Sequence, residues 1–316
     1  MKSNTNAFAD SKPELATSDT NKKASIIDFT TPHRFIDVGH SKLAYWSTGS
    51  GPDLIFIHGW PLHSATYRNI IPIVAQHFTC HCFDLPGAGQ TVYGQETDFS
   101  FAAHTQTLLN AIKQLGLKQY GLIAHDSGGV VTRYLAAQET KAVFGMVLGN
   151  TEIPNYQSLL LRLLVTAGKT PGGMALIANA VRIKALRHSL MGFGSCFNET
   201  SLIDGEFFDL FVEPLYKSNS VRLGQTQLLE HFNVEEIHQL KLVHRKIEAP
   251  TLLLWGELDP FFAIKKAKEM MPQFLGGAAM EVYEAGKLFI HEEYPERFAD
   301  HTTKFFQKCL LERGDY

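Results

Sequence analysis

The chain has 316 residues, 45% of them hydrophobic and 19% charged, which suits one large core with an insertion and is too short for three ordinary domains. Its formal net charge is −3, with no Lys/Arg block long enough for a nucleic-acid footprint, so neither nucleic acid nor a membrane surface is expected as a partner. The four cysteines (Cys80, Cys82, Cys196, Cys309) lack the spacing of a zinc site or a disulfide framework, so no metal and a reducing, cytoplasmic setting are expected.

In chain order, residues 1–26 are rich in Ser, Thr, Asn, Asp and Lys, with no apolar stretch of signal-peptide or membrane-span length. They read as a flexible tail. Arg34–Val38 and Lys42–Trp46 alternate around Gly39-His40 and predict a hairpin. Asp53–Ile57 is a short continuous apolar run, as in a strand buried on both faces of a parallel sheet. Tyr67–His77 has helical spacing, Thr79–Phe83 reads as a strand, and Phe101–Leu115 as a helix. Tyr120–Ala124 is a strand that runs at once into Gly128-Gly129 and a helix to about Gln138. Val143–Leu148 is the next strand. This alternation implies right-handed βαβ crossovers and a mostly parallel sheet flanked by helices.

The alternation stops near Pro154. From there to about Leu240 the chain reads as helix after helix, broken at Pro171-Gly172-Gly173 and Gly192–Gly194. Pro250–Trp255 and Met280–Tyr283 resume the strand pattern, and Pro295–Leu311 is a final helix. The expected organisation is therefore a tail (1–26), the first part of an α/β core (27–152), a helical cap (153–238) and the second part of the core (239–316).

The most informative stretch is Ala124-His125-Asp126-Ser127-Gly128-Gly129. A strand that meets a helix with almost no loop strains the corner residue and requires small neighbours two positions away on each side. Ala124 and Gly128 meet that requirement if Asp126 is the corner. Making Ser127 the corner would put His125 at a position that needs a small side chain. The helix start beneath the corner also favours a carboxylate there.

With His58-Gly59-Trp60-Pro61, Asp84–Thr91 (DLPGAGQT) and Trp255–Phe262 (WGELDPFF), this stretch resembles the α/β-hydrolase superfamily, in particular its aspartate-nucleophile branch of epoxide hydrolases and haloalkane dehalogenases. The likeness runs from about residue 34 to 312. It implies an α/β-hydrolase fold with a helical cap. It also implies attack by Asp126 on a saturated carbon, giving an alkyl ester that a histidine-activated water then cleaves. The backbone N–H groups of Trp60 and Ser127 are the implied oxyanion donors, and Asp259 is the implied acid that orients the histidine. Asn150 and Glu152 mark the alternative acid position. His58 is expected to brace the oxyanion loop.

The histidine departs from the family pattern. Matching the loop through Phe289, Ile290, Glu292, Glu293 and Pro295 puts Leu288 in the histidine slot and His291 three residues later. Leucine can neither take a proton nor bond Asp259. Either His291 swings in as base, or the protein does not turn over, or a leucine stands where the natural residue is histidine.

An epoxide needs an acid at its oxygen, and the family supplies cap tyrosines. The cap here contains Tyr156 and Tyr216 and no tryptophan, so an epoxide-type reaction leads a halide-releasing one. A serine esterase using Ser127 and a catalytically silent ligand-binding homologue are the other readings. Gly87-Ala88-Gly89 lacks the third glycine of a dinucleotide fingerprint, so no cofactor is expected. The expected partner is a small apolar organic substrate, and the sequence does not fix an oligomeric state.

Overall fold

The computed structural model describes residues 27–314, so the expected tail lies outside the described residues. Nine strands form one sheet in the order β1-β2-β4-β3-β6-β7-β8-β9, with β5 beside β2. They are β1 (Arg34–Asp37), β2 (Ser41–Gly49), β3 (Asp53–Ile57), β4 (Thr79–Phe83), β5 (Val92–Tyr93), β6 (Tyr120–Ala124), β7 (Val143–Gly149), β8 (Thr251–Gly256) and β9 (Ala278–Tyr283). The pairs made by β2 with β1, β4 and β5 are antiparallel. All the others are parallel. The apolar runs of β3, β6, β7 and β8 are buried along almost their whole length, as strands covered on both faces must be.

The core helices are α1 (Ile71–Val74), α2 (Phe101–Leu115) and α3 (Gly128–Gln138). A helical region follows β7: α4 (Leu159–Lys169), α5 (Gly173–Arg182), α6 (Lys184–Arg187), α7 (Glu213–Lys217) and α8 (Asn219–Glu230). The chain then adds α9 (Val234–His244), α10 (Ile264–Met270), α11 (Ile290–Glu293) and α12 (Pro295–Arg313). Helix starts follow local chemistry: Ser100, Ser158, Ser218 and Asn233 each accept a first-turn N–H of α2, α4, α8 and α9. Each such cap contributes on the order of 1 kcal/mol.

The strand registers assemble the functional edge. Ile57 of β3 pairs with Ala124 of β6, and Ala124 pairs with Leu148 of β7. Gly149 pairs with Leu254 of β8, and Gly256 with Tyr283 of β9. The loops that follow β3, β6, β7, β8 and β9 therefore leave the same edge of the sheet. They carry Trp60, Asp126, Asn150, Asp259 and Leu288. Carboxyl ends of parallel strands are where open α/β sheets bind ligands.

Four local expectations differ from the structure. The helix expected at Tyr67–His77 is a 3₁₀ turn at Ser64–Tyr67 followed by the single turn of α1. Pro72 confines the helix to its own first turn, and the Thr79 N–H bonds the Pro52 carbonyl to open β4 only a few residues later. β5 is two residues long and α10 seven, both too short for a periodic signal. β9 starts at Ala278, two residues before the expected Met280. Finally, α9 crosses the boundary expected at residue 238 and binds the core. Tyr134 of α3 donates to the Glu236 carbonyl at 2.8 Å, and the Glu236 carboxylate accepts from Ala102 N–H at 2.9 Å.

Candidate active site

Asp126 holds the bend between β6 and α3 at φ = 47°, in the left-handed region that side-chain-bearing residues seldom adopt. Ser127 has ordinary helical angles, φ −57° and ψ −25°. The bend is held from several sides. Asp126 N–H donates to the Asn150 carbonyl at 2.7 Å, and the Asp126 carbonyl accepts from Gly129 N–H and the Thr151 hydroxyl, each at 2.8 Å. A side chain at Gly128 would run into the His58 and Ile57 carbonyls, so the small residue two places after the bend is a packing requirement.

The loop after β3 crosses directly above. A Cβ on Gly59 would come within 2.6 Å of the Asp126 Cβ. The Trp60 N–H donates to Asp126 Oδ2 at 2.9 Å and to Ser127 Oγ at 2.9 Å. Ser127 N–H is a second donor to the carboxyl group. His58 braces this loop. Its Nε2 accepts from Leu85 N–H at 2.9 Å, which leaves Nδ1 to donate to the Gly59 carbonyl at 3.1 Å. Burial pushes His58 down to about 4, so it is neutral near pH 7.

Asp126 opens into a cavity of about 80 Å³ whose wall includes Trp60, Leu161, Met174, Val181, Phe262 and Leu288. The wall is almost wholly apolar, as small-molecule sites commonly are. Burial, reinforced by Glu152 and Asp259, holds the Asp126 carboxyl well above the usual carboxylate range, against the lowering effect of the Ser127 and Trp60 N–H groups. Trp60 Nε1 is buried without a partner among the described residues.

Asp259 sits beside the cavity and does not line it. Its Oδ1 accepts from Phe261 N–H at 2.7 Å and Phe262 N–H at 3.2 Å, and its Oδ2 from Asn150 Nδ2 at 2.6 Å. Burial raises it to about 6. No histidine is among these partners. Leu288 is 5% exposed and faces the same cavity as Asp126.

His291 lies outside the cavity wall. It is fully buried on α11, its Nε2 is 2.7 Å from Thr66 Oγ1, and its ring lies 4.1 Å from that of His125. Thr66 Oγ1 donates to Glu292 Oε1 at 2.9 Å, so it accepts from the His291 N–H. Burial, helped by Arg68, pushes His291 down to about 3, too weak a base to serve near neutral pH.

Tyr156 and Tyr216 are half-buried and do not line the cavity. Tyr156 bridges back to Ile153, and Tyr216 packs on Phe208 beneath the Arg182 guanidinium. Among the described residues no group of three or more His, Cys, Asp or Glu side chains could hold a metal ion, and the four cysteines are free.

Two participants were not given these roles by the sequence. Asn150 reaches from the end of β7 to both Asp259 and the Gly256 N–H, the latter at 2.8 Å. Glu152, 2% exposed, is raised to about 7 by burial. Its Oε2 lies 3.0 Å from Thr151 Oγ1, whose proton serves the Asp126 carbonyl. That contact ties Glu152 to the bend through Thr151. The position of both after a strand was legible, but the groups they serve, Asp259 and Gly256 for Asn150 and the Asp126 carbonyl through Thr151 for Glu152, lie far away in sequence.

A strained bend that presents a carboxyl group, two backbone N–H donors over it, an acid loop after a later strand and a helical region above the sheet define a protein of the α/β-hydrolase class. A sequence profile described as "alpha/beta hydrolase fold" matches residues 52–295, and the chain belongs to that family. It is 25% identical to haloalkane dehalogenase 2 of Mycobacterium tuberculosis, over 84% of this chain and 92% of that protein. It is 26% identical to the soluble epoxide hydrolase of Corynebacterium sp. (strain C12), over 87% and 97%. The ligand-free crystal structure of epoxide hydrolase CorEH superposes with a TM-score of 0.73 at 22% identity, covering 87% of this chain and 98% of that one. The last shows the shared fold.

Proposed function

We propose that Asp126 is the nucleophile of an alkyl-transfer reaction at saturated carbon, and that the protein lacks the base for the hydrolytic half. The observation that carries this reading is the left-handed backbone of Asp126 at the bend, with its carboxyl group in an apolar cavity and Ser127 already at helical angles. A carboxylate oxygen forms a bond to the substrate carbon, and the bond to the leaving group breaks, with its electron pair departing as an anion. The Trp60 and Ser127 N–H groups steady the remaining charge. Hydrolysis of the ester would then need a base on the cavity wall, and Leu288 occupies the place where the family resemblance puts it.

The leaving group is read from the wall. No tyrosine hydroxyl lines the cavity, so the acid that epoxide opening requires is missing from the wall. Trp60 is on this wall, and its indole N–H, buried and without a partner among the described residues, is the donor we assign to a departing halide. This favours a small apolar haloalkane-like substrate over an epoxide, reversing the order that the cap tyrosines suggest.

The test is intact-protein mass spectrometry after incubation with a panel of small alkyl halides and epoxides. A stable adduct of one alkyl group is expected, mapped to Asp126 and absent from Asp126→Asn. A halide should leave in equal amount. Labelling of Ser127 by a fluorophosphonate, with Asp126 untouched, would overturn the assignment.

A further inference from the structure

The whole-chain charge conceals a segregation. From Ile153 to Asn198 the sequence holds five Lys or Arg residues (Arg162, Lys169, Arg182, Lys184 and Arg187) and no Asp or Glu. Part of this charge is offset internally, since Lys184 and Arg187 pair with Asp204 at 2.7 and 2.8 Å. Arg162, Lys169 and Arg182 remain exposed.

The same stretch turns apolar side chains outward. Leu159, Leu163, Leu176, Ile183, Leu190 and Met191 are between 50% and 74% exposed. Leu159 and Leu163 are one turn apart on one face of α4, with Arg162 between them. α4 packs against α5, and α5 against α6, so one packed group of helices carries these exposed side chains. Leu190 and Met191 also line the Asp126 cavity, which places part of the exposed apolar surface at the cavity wall. Exposed apolar side chains bordered by cations mark an interaction surface.

We propose that this outer face of the cap docks on an anionic lipid surface. Interfacial helices combine exposed Leu with Lys/Arg in this way, and each cation adds attraction to anionic headgroups. The chain's overall charge of −3 argues against such a partner, and the local distribution reverses that argument. A second copy is the poorer occupant, because it would set Arg162, Lys169 and Arg182 against the same three cations, with no carboxylate from this segment to pair them. Docking brings the cavity mouth to the layer where apolar molecules concentrate. That consequence rests on the proposed function, whereas the docking itself does not.

The test is co-sedimentation of the full chain with phosphatidylcholine vesicles, with and without phosphatidylglycerol. Binding is expected only with phosphatidylglycerol present, and should weaken as salt is raised. The exposed triple variant Leu159→Ser, Leu163→Ser, Leu176→Ser, none of which lines the cavity, should lose at least about tenfold in affinity. Arg162→Glu should lose about fivefold or more. Asp126→Asn should bind vesicles like the unsubstituted protein, so failure of the chemical reading leaves the docking result intact. No sedimentation with anionic vesicles at low salt, or unchanged binding by both surface variants, would overturn the proposal. So would a dimer in sedimentation velocity that the leucine substitutions dissociate.

Discussion

At the scale of single residues, the proposed chemistry turns on Leu288 and Glu152. Leu288 is a cavity-wall residue on the loop after β9, and Asp259, on the loop after β8, already has three donors. Leu288→His should place an imidazole between Asp126 and Asp259. The alkyl adduct should then decay, with the hydrolytic step accelerated by about 10²- to 10⁴-fold, the range expected of a general base. The measurement is adduct mass against time. An adduct equally persistent in a folded Leu288→His protein would refute the loop alignment. Glu152 sets a pH dependence. Folded Glu152 keeps its proton to about 7, while in the unfolded chain it would lose it near 4.5. Between those values the folded state binds more protons, so this group's contribution to stability declines as pH rises. Its cost is nil below that window and complete above it, at most about 3 kcal/mol. Gln is the neutral isostere. Glu152→Gln should therefore match the unsubstituted protein in denaturant melts near pH 4 and exceed it by roughly 1–3 kcal/mol at pH 8. It should also let Asp126 alkylate at lower pH, since Glu152 is among the groups that raise it. Equal stability at both pH values would contradict the raised carboxyl.

At the scale of elements, the sequence was most readable where a local rule acts alone. The β6–α3 bend could be placed because a strand that turns straight into a helix demands small residues two positions to either side, here 124 and 128. β3 and β6 could be placed because each is a short, mainly apolar run bounded by turn residues. What escaped depends on distant partners. The α1 region has helical spacing, yet Pro72 and the early start of β4 leave room for one turn. Tyr156 and Tyr216 carry the right chemistry, but the bridge to Ile153 holds the first and packing on Phe208 and Arg182 holds the second, both off the cavity wall. His291 sits close in sequence to the empty histidine slot and is turned instead into a buried network. That network joins three elements: Arg68 Nη1 meets both Glu292 oxygens at 2.9 Å, and Arg68 Nε meets Glu206 at 2.6 Å. Glu292 is 4% exposed at its side chain, so removing its partner leaves a buried charge. Arg68→Met should cost about 3–5 kcal/mol at neutral pH in a denaturant melt, and adding Glu292→Gln should recover much of it. A loss below about 1 kcal/mol would mean that the pair does not hold the 3₁₀ turn to α11.

At the scale of the whole molecule, two properties are invisible in the total composition. The first is the separation of charge, in which a chain with a net negative count carries a cationic, leucine-rich outer cap face. The vesicle measurement belongs to this scale, because no single side chain there is unusual. Among the described residues no helix is long and apolar enough to cross a membrane, and surface docking requires none. The second is the convergence of four strand ends, those of β3, β6, β8 and β9, on one cavity. Residues 60 to 289 meet there only because the sheet order interleaves strands distant in sequence.

Asn150 illustrates what that convergence does. Its backbone oxygen receives the Asp126 N–H, while its side-chain amide grips Gly256 and Asp259. A single residue, through its backbone carbonyl on one side and its side-chain amide on the other, thus acts as a rivet through two loops that are more than a hundred residues apart in the chain. Neither loop can drift without dragging the other, so their thermal excursions are correlated and the spacing between the two carboxyl groups is conserved as they move.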